Sequence, residues 1–153
     1  MIEIIPGTEL DGPPSDERIA ELERYLEYAL PDAYIAFLKA TNGGKPVKPF
    51  VEFAGENAVI RAFLGIQAEV KDNQISMFDI EWTTLNLSDE FPMECVPIAA
   101  DDFGNYIALH MHEGRPPSVV FVDHEMPSGQ NLVHLADSFE GLETILKPLP
   151  DHG

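Results

Sequence analysis

From Tyr106 to Met111 apolar and polar residues alternate, and a β-branched run follows a short turn. Ile107, Leu109 and Met111 share one face; Tyr106, Ala108 and His110 share the other, the period of a half-buried strand. After Glu113-Gly114-Arg115-Pro116-Pro117, the run Ser118-Val119-Val120-Phe121-Val122-Asp123 can return antiparallel. A turn centred on Arg115 predicts Leu109 opposite Phe121, Met111 opposite Val119 and Asp123 opposite Ile107. The same register gathers Asp101, Asp102, Asp123 and Glu125 at the open end of the hairpin.

The remaining signals fall into order around this hairpin. Ser15 is a suitable N-cap for a helix whose first turn holds Asp16 and Glu17. Its apolar stripe is Ile19, Leu22, Leu26 and Ala29. Pro31 begins a second helix with Tyr34, Phe37, Leu38 and Thr41 on one face, closed by Asn42-Gly43-Gly44. Residues 2–5 suggest a short edge strand, and residues 50–53 and 58–64 flank a turn at Gly55-Glu56-Asn57. Residues 65–74 show no period, 79–87 lean to a short helix, and 95–99 open the central strand. Asn131 to Leu135 make another strand, and Asp137 with Glu140 predicts a capping box for a last helix bearing Phe139, Leu142, Ile145 and Leu146. Two helices, then strands, then one helix predict an α+β domain, an antiparallel sheet with helices packed against it. With neither repeat nor long linker, one domain over 1–153 is expected.

Charge narrows the function. The chain has 27 acidic and 9 basic residues, net −18. Residues 1–71 hold 12 acids against 7 bases, net −5; residues 72–146 hold 14 acids against Arg115 alone, net −13. Such a surface repels phosphate backbones and anionic lipid and attracts basic proteins. A single cysteine, no apolar run of about 20 residues and no signal-peptide pattern at the N-terminus point to a cytoplasmic protein.

Catalytic signals are thin. His110 and His112 share a strand face, but zinc needs four converging ligands, and His124 stands about 13 Å away along the strand at ~3.3 Å per residue. A solvated strand face accounts for the pair. Asp101, Asp102, Asp123 and Glu125 could serve acid–base chemistry or a cation. No nucleophile or phosphate-binding glycine loop accompanies them, so turn residues and partner contacts are the leading readings. Cys95, beside Glu94, reads as a small packed hydrophobe.

Four patches then fall in a familiar order. Leu30-Pro31-Asp32-Ala33-Tyr34-Ile35-Ala36-Phe37-Leu38 with Asn42-Gly43-Gly44 resembles the opening of SUKH-fold proteins of the SMI/KNR type. Pro97 to Ile107 is similar to their "I-A-x-D-x-x-G-N-x-I" strand and turn, Val119 to Glu125 to the next strand, and Leu135 to Phe139 to the approach to the final helix. The resemblance spans about residues 15–147. It implies an α+β domain whose bacterial members are mostly immunity proteins that neutralise a cognate toxin, often a nuclease; fungal relatives are signalling regulators and interaction hubs.

The expectation is therefore a non-enzymatic immunity protein without cofactor, binding a basic toxin as monomer or dimer. Asp101, Asp102, Asp123 and Glu125, with Glu81, Asp89 and Glu90, are the expected contacts. The alternatives are an intracellular regulatory interaction module and a metal-dependent hydrolase using His110, His112 and the carboxylates.

Overall fold

A computed structural model describes residues 1–69, 74–87, 91–127 and 129–151. Among them, helices α1 (Asp16–Leu26), α2 (Asp32–Ala40), α3 (Ile80–Asn86) and α4 (Phe139–Ile145) accompany six strands. The strands are β1 (Phe50–Phe53), β2 (Glu56–Phe63), β3 (Cys95–Asp101), β4 (Tyr106–His112), β5 (Arg115–Val122) and β6 (Leu132–Ala136). They form one antiparallel sheet in sequence order, β1 to β6, with α3 inserted between β2 and β3. This is the α+β architecture that the segregated sequence pattern predicts.

Local chemistry explains most element ends. Ser15 Oγ accepts from the Arg18 N–H (3.1 Å) and starts α1 as expected. The helix stops at Leu26, because Glu27 turns left-handed (φ 63°), so Ala29 lies outside it and is exposed. Asp79 caps α3 through the Trp82 N–H (2.9 Å), and a short 3₁₀ turn, Gln74–Phe78, leads into it. The cap of α4 is Ser138, whose Oγ accepts from the Gly141 N–H (3.1 Å). Asp137, one residue earlier, instead faces His134 (3.0 Å). The expected edge strand at 2–5 reduces to one bridge, Ile4 with Pro46. The β1–β2 reversal is a two-residue turn at Ala54-Gly55, both at positive φ, and Gly55 meets that demand without a Cβ to strain.

The β4–β5 register corrects the predicted one. Ile107 pairs with Phe121 and Leu109 with Val119, two residues from expectation, because the turn is Glu113-Gly114 and Pro116-Pro117 lie within β5. A shift of two keeps every side chain on its expected face. Asp123 consequently lies past the end of β5, level with the β3–β4 turn and not opposite Ile107.

Helices and sheet bury a single large core. Phe37 sits at its centre, edge-on to Phe63 (5.3 Å between centroids) and against Tyr34 and Phe139. Ile107, Leu109, Val119 and Phe121 face this core from the sheet. The other face carries a smaller cluster of Cys95, Ala108, Val120 and Val122 beneath Phe91 and Leu132. Phe91 meets Tyr106 edge-on at 6.0 Å. The sheet curls strongly, since Phe53 of β1 packs on Phe121 of β5 at 4.7 Å. That curl determines where the chain reversals meet.

Candidate functional site

Asp101 ends β3 and folds the turn that follows it. Its Oδ1 accepts from the N–H groups of Phe103 (2.8 Å) and Asn105 (2.9 Å), and its Oδ2 accepts from Asn105 Nδ2 (2.9 Å). Asn105 then uses its own Oδ1 to accept from the His124 N–H (3.0 Å) and from His124 Nδ1 (2.7 Å), which places the ring proton on Nδ1. The His124 ring lies over Gly104, whose φ is +87° and whose absent Cβ would approach the ring to 3.2 Å. A relay of three side chains, Asp101 to Asn105 to His124, thus fixes the β3–β4 turn against the segment after β5. Local side-chain bonds of this kind replace ladder bonds where the sheet ends. Burial, and then the Asp101 carboxylate, push the Tyr106 phenol above its usual range.

Past β5, Asp123 Oδ1 accepts from the Glu125 N–H (2.9 Å) and forms a second compact turn. Between these turns and the tip of the β1–β2 hairpin runs an open groove. Phe53, Ala58 and Phe121 form its floor; Glu56, Asp101, Asp123 and Glu125 stand around it. Phe103 lines it too, 77% exposed at the turn tip. An exposed aromatic amid carboxylates is suited to the aliphatic stem and charged head of lysine or arginine.

The sequence-predicted residues separate here. Asp101, Asp123 and Glu125 are brought together around the groove, although Asp101 spends both oxygens on its own turn. Asp102 lies beside it and faces Arg61 Nε at 3.8 Å. Glu81 is not part of the groove: it belongs to α3 and meets Arg18 Nη1 at 3.4 Å. Arg18, only 8% exposed, also donates through Nε to the Gln67 carbonyl (2.9 Å), so Glu81 anchors α1 to α3. Asp89 and Glu90 lie outside the described residues. Sequence reasoning missed Glu56 and Phe103. A phenylalanine within the polar turn Asp101-Asp102-Phe103-Gly104-Asn105 was a readable signal; the approach of Glu56 depends on the curl of the sheet.

His110 and His112 share the outer face of β4 as expected, with ring centroids 4.4 Å apart. Among the described residues no group of three or more histidine, cysteine or acidic side chains is arranged to hold a metal ion. Cys95 is buried, and burial first, with Glu94 second, pushes its thiol up to about 12. Among the described residues no helix is long and apolar enough to cross a membrane.

The Asp101, Gly104 and Asn105 turn and the Asn42-Gly43 segment hold motif residues of the resemblance read from the sequence, although α2 ends earlier than expected, at Ala40, because Thr41 is extended (φ −143°). The model of the SMI1 / KNR4 family (SUKH-1) matches residues 13–142. The chain belongs to that family. In this SUKH-1 protein the matched span holds every helix and strand up to β6 and most of α4. It also holds the whole acidic groove. No curated protein matches the chain.

Proposed function

We propose that this SUKH-1 protein is a cytoplasmic immunity protein that binds and neutralises a cognate basic toxin domain, a nuclease domain being the type that fits best. It acts by occupation, without chemistry of its own. The observation that carries the reading is the groove at the strand ends, where Glu56, Asp123 and Glu125 surround an exposed Phe103 on a chain of net charge −18. A toxin that works on nucleic acid needs lysines and arginines for the phosphates, and those cations are what such a groove takes. Long-range attraction raises the association rate, while the aromatic contact slows dissociation. Asp102 extends the negative rim, and Asp101 shapes the turn that presents Phe103.

The test is capture of partners by the tagged protein from its native lysate, eluted along a salt gradient, with toxicity assays on co-expressed candidates. One basic protein retained in stoichiometric amount, released by salt and lethal without this chain, is the expected result. Recovery of several neutral or acidic housekeeping proteins, with no protective phenotype, would replace the reading with a regulatory interaction module.

A further inference from the structure

The outer face of the sheet carries a second groove with the opposite character. Between residues 72 and 146 the chain has 14 acids and only Arg115 as a permanent cation, yet Arg115 and three of the five histidines line this one groove. His110 and His112 come from β4, Arg115 and Ser118 from β5, His134 from β6 and Ser138 from the loop before α4. We propose that this groove binds a tetrahedral oxyanion of the sulfate and phosphate class, and does so more tightly as pH falls below neutrality.

The donors are held in place by their own bonds. Arg115 Nη2 lies 3.3 Å from His112 Nδ1, and since a guanidinium can only donate, Nδ1 is the acceptor. The neutral His112 ring therefore carries its proton on Nε2 and donates it to Ser118 Oγ at 3.1 Å. The Ser118 hydroxyl proton is left free to point into the groove. His110 stacks at a tilt beside His112, 4.4 Å between centroids. Desolvation first, and then Arg115 and His110, hold His112 below the usual imidazole range.

Facing carboxylates set the pH dependence. Glu94 faces His110 at 3.6 Å and Asp137 faces His134 at 3.0 Å; no carboxylate is paired with Arg115 or His112 among the described ion pairs. With the imidazoles neutral, Arg115 stands alone against Glu94 and Asp137, a local balance of 1 − 2 = −1. With His110 and His134 protonated and His112 still neutral, its Nδ1 accepting from Arg115, the balance is 3 − 2 = +1. The groove changes sign across the range in which histidine titrates. This inference is independent of the toxin-binding reading, whose groove lies at the strand ends.

Sulfate is the probe, because it stays a dianion while the protein titrates. Imidazole and guanidinium NMR signals are followed as sulfate replaces chloride at constant ionic strength. Saturable shifts at His110, His112 and Arg115 are expected near pH 5.5, with affinity at least about tenfold weaker near pH 8. Arg115→Gln and, independently, His112→Gln should each weaken binding about tenfold or more, while Arg61→Gln, outside the groove, leaves it intact. Linear shifts, shifts matched by chloride, or full affinity in a folded R115Q or H112Q protein would overturn the assignment. Comparing inorganic phosphate with a phosphomonoester at the lower pH then separates two sources. Equal affinity assigns a free ion, and a tighter ester assigns a phosphoryl group carried by a larger molecule.

Discussion

Asn42 holds Ile66 as a neighbouring strand would. Its Oδ1 accepts from the Ile66 N–H at 2.7 Å, and its Nδ2 donates to the Ile66 carbonyl at 2.6 Å. Nδ2 also donates to the Gly12 carbonyl at 2.9 Å. One buried side chain thereby ties the end of α2 to the segment before α1 and to the chain leaving β2. The glycines around it follow from lack of room. A Cβ on Gly65 would stand 2.5 Å from the Asn42 carbonyl oxygen, and one on Gly43 would stand 2.8 Å from that of Phe63. The asparagine–glycine pair of the family pattern is thus a three-way clamp, not merely a helix stop.

Asn42→Ala removes the three bonds and strands the Ile66 amide and carbonyl in a dry site. A loss of about 3 kcal/mol or more is expected, on the scale of 1–3 kcal/mol for each buried polar group left unpaired. Urea unfolding of the variant measures it; a loss below about 1 kcal/mol would mean that water enters and takes over the clamp.

Asp101 and its acidic neighbours should respond differently to substitution. Asp101→Ala deletes the acceptors for Phe103, Asn105 and the Asn105 amide, and is expected to cost about 1–2 kcal/mol of stability. Asp123→Lys with Glu125→Lys should slow association with a basic partner about tenfold to a hundredfold at low salt, less as salt rises. Stopped-flow association rates beside thermal melts separate the two effects. Equal losses of stability in both variants would contradict the division of labour.

Phe103 buries little of itself in the fold, being 77% exposed. Phe103→Ala should leave unfolding free energy within about 0.5 kcal/mol, as for other surface positions. The same change is expected to weaken the partner complex by about 2 kcal/mol or more, the scale of an aromatic anchor. Calorimetric titration of the captured partner is the check, and an unchanged affinity removes Phe103 from the contact.

Cys95 gives a prediction in pH. Its folded pKa is raised from 9.0 to about 12 by burial and by Glu94. The thiolate is therefore favoured by unfolding. The contribution of this group to stability is fully present below about pH 9 and is lost as pH rises from there towards 12. A thiol reagent at about pH 8 should label the native chain far more slowly than the chain in denaturant. Equal rates would show that the strand opens readily around Cys95.

Much of this fold could be read from the residues, and the failures have local causes. The capping serine of α1 and the hairpin at Gly55 follow from short-range chemistry, so the sequence displays them. The β4–β5 register went astray because Pro116 and Pro117 look like turn residues. They lie in β5 where β6 pairs only from Val119 onward, and beside an irregularity opposite His110 and His112, the setting in which a strand accepts proline. Glu27 ends α1 without the glycine that would announce a left-handed residue. Asp137 and Ser138 are both good caps, and only the path of the chain after β6 decides between them. The acidic groove was half visible. Asp101, Asp123 and Glu125 follow from the hairpin, but Glu56 arrives through the curl that sets Phe53 on Phe121. The ion pair of Glu81 was not legible, because nothing in its own segment reveals Arg18 on the facing helix.

The walls of that groove come from three separate chain reversals: the β1–β2 tip, the β3–β4 turn and the segment after β5. Each is joined to the Phe37 core only through its strands, and surface reversals accept changes of residue and length far more readily than packed positions do. The Asp101–Asn105–His124 relay preserves the spacing of two of them while Asp102, Phe103 and Glu125 remain open to exchange. Under the proposed function, a toxin that alters its own surface is matched by substitutions at these tips alone. The scaffold is inherited intact while the lock is recut.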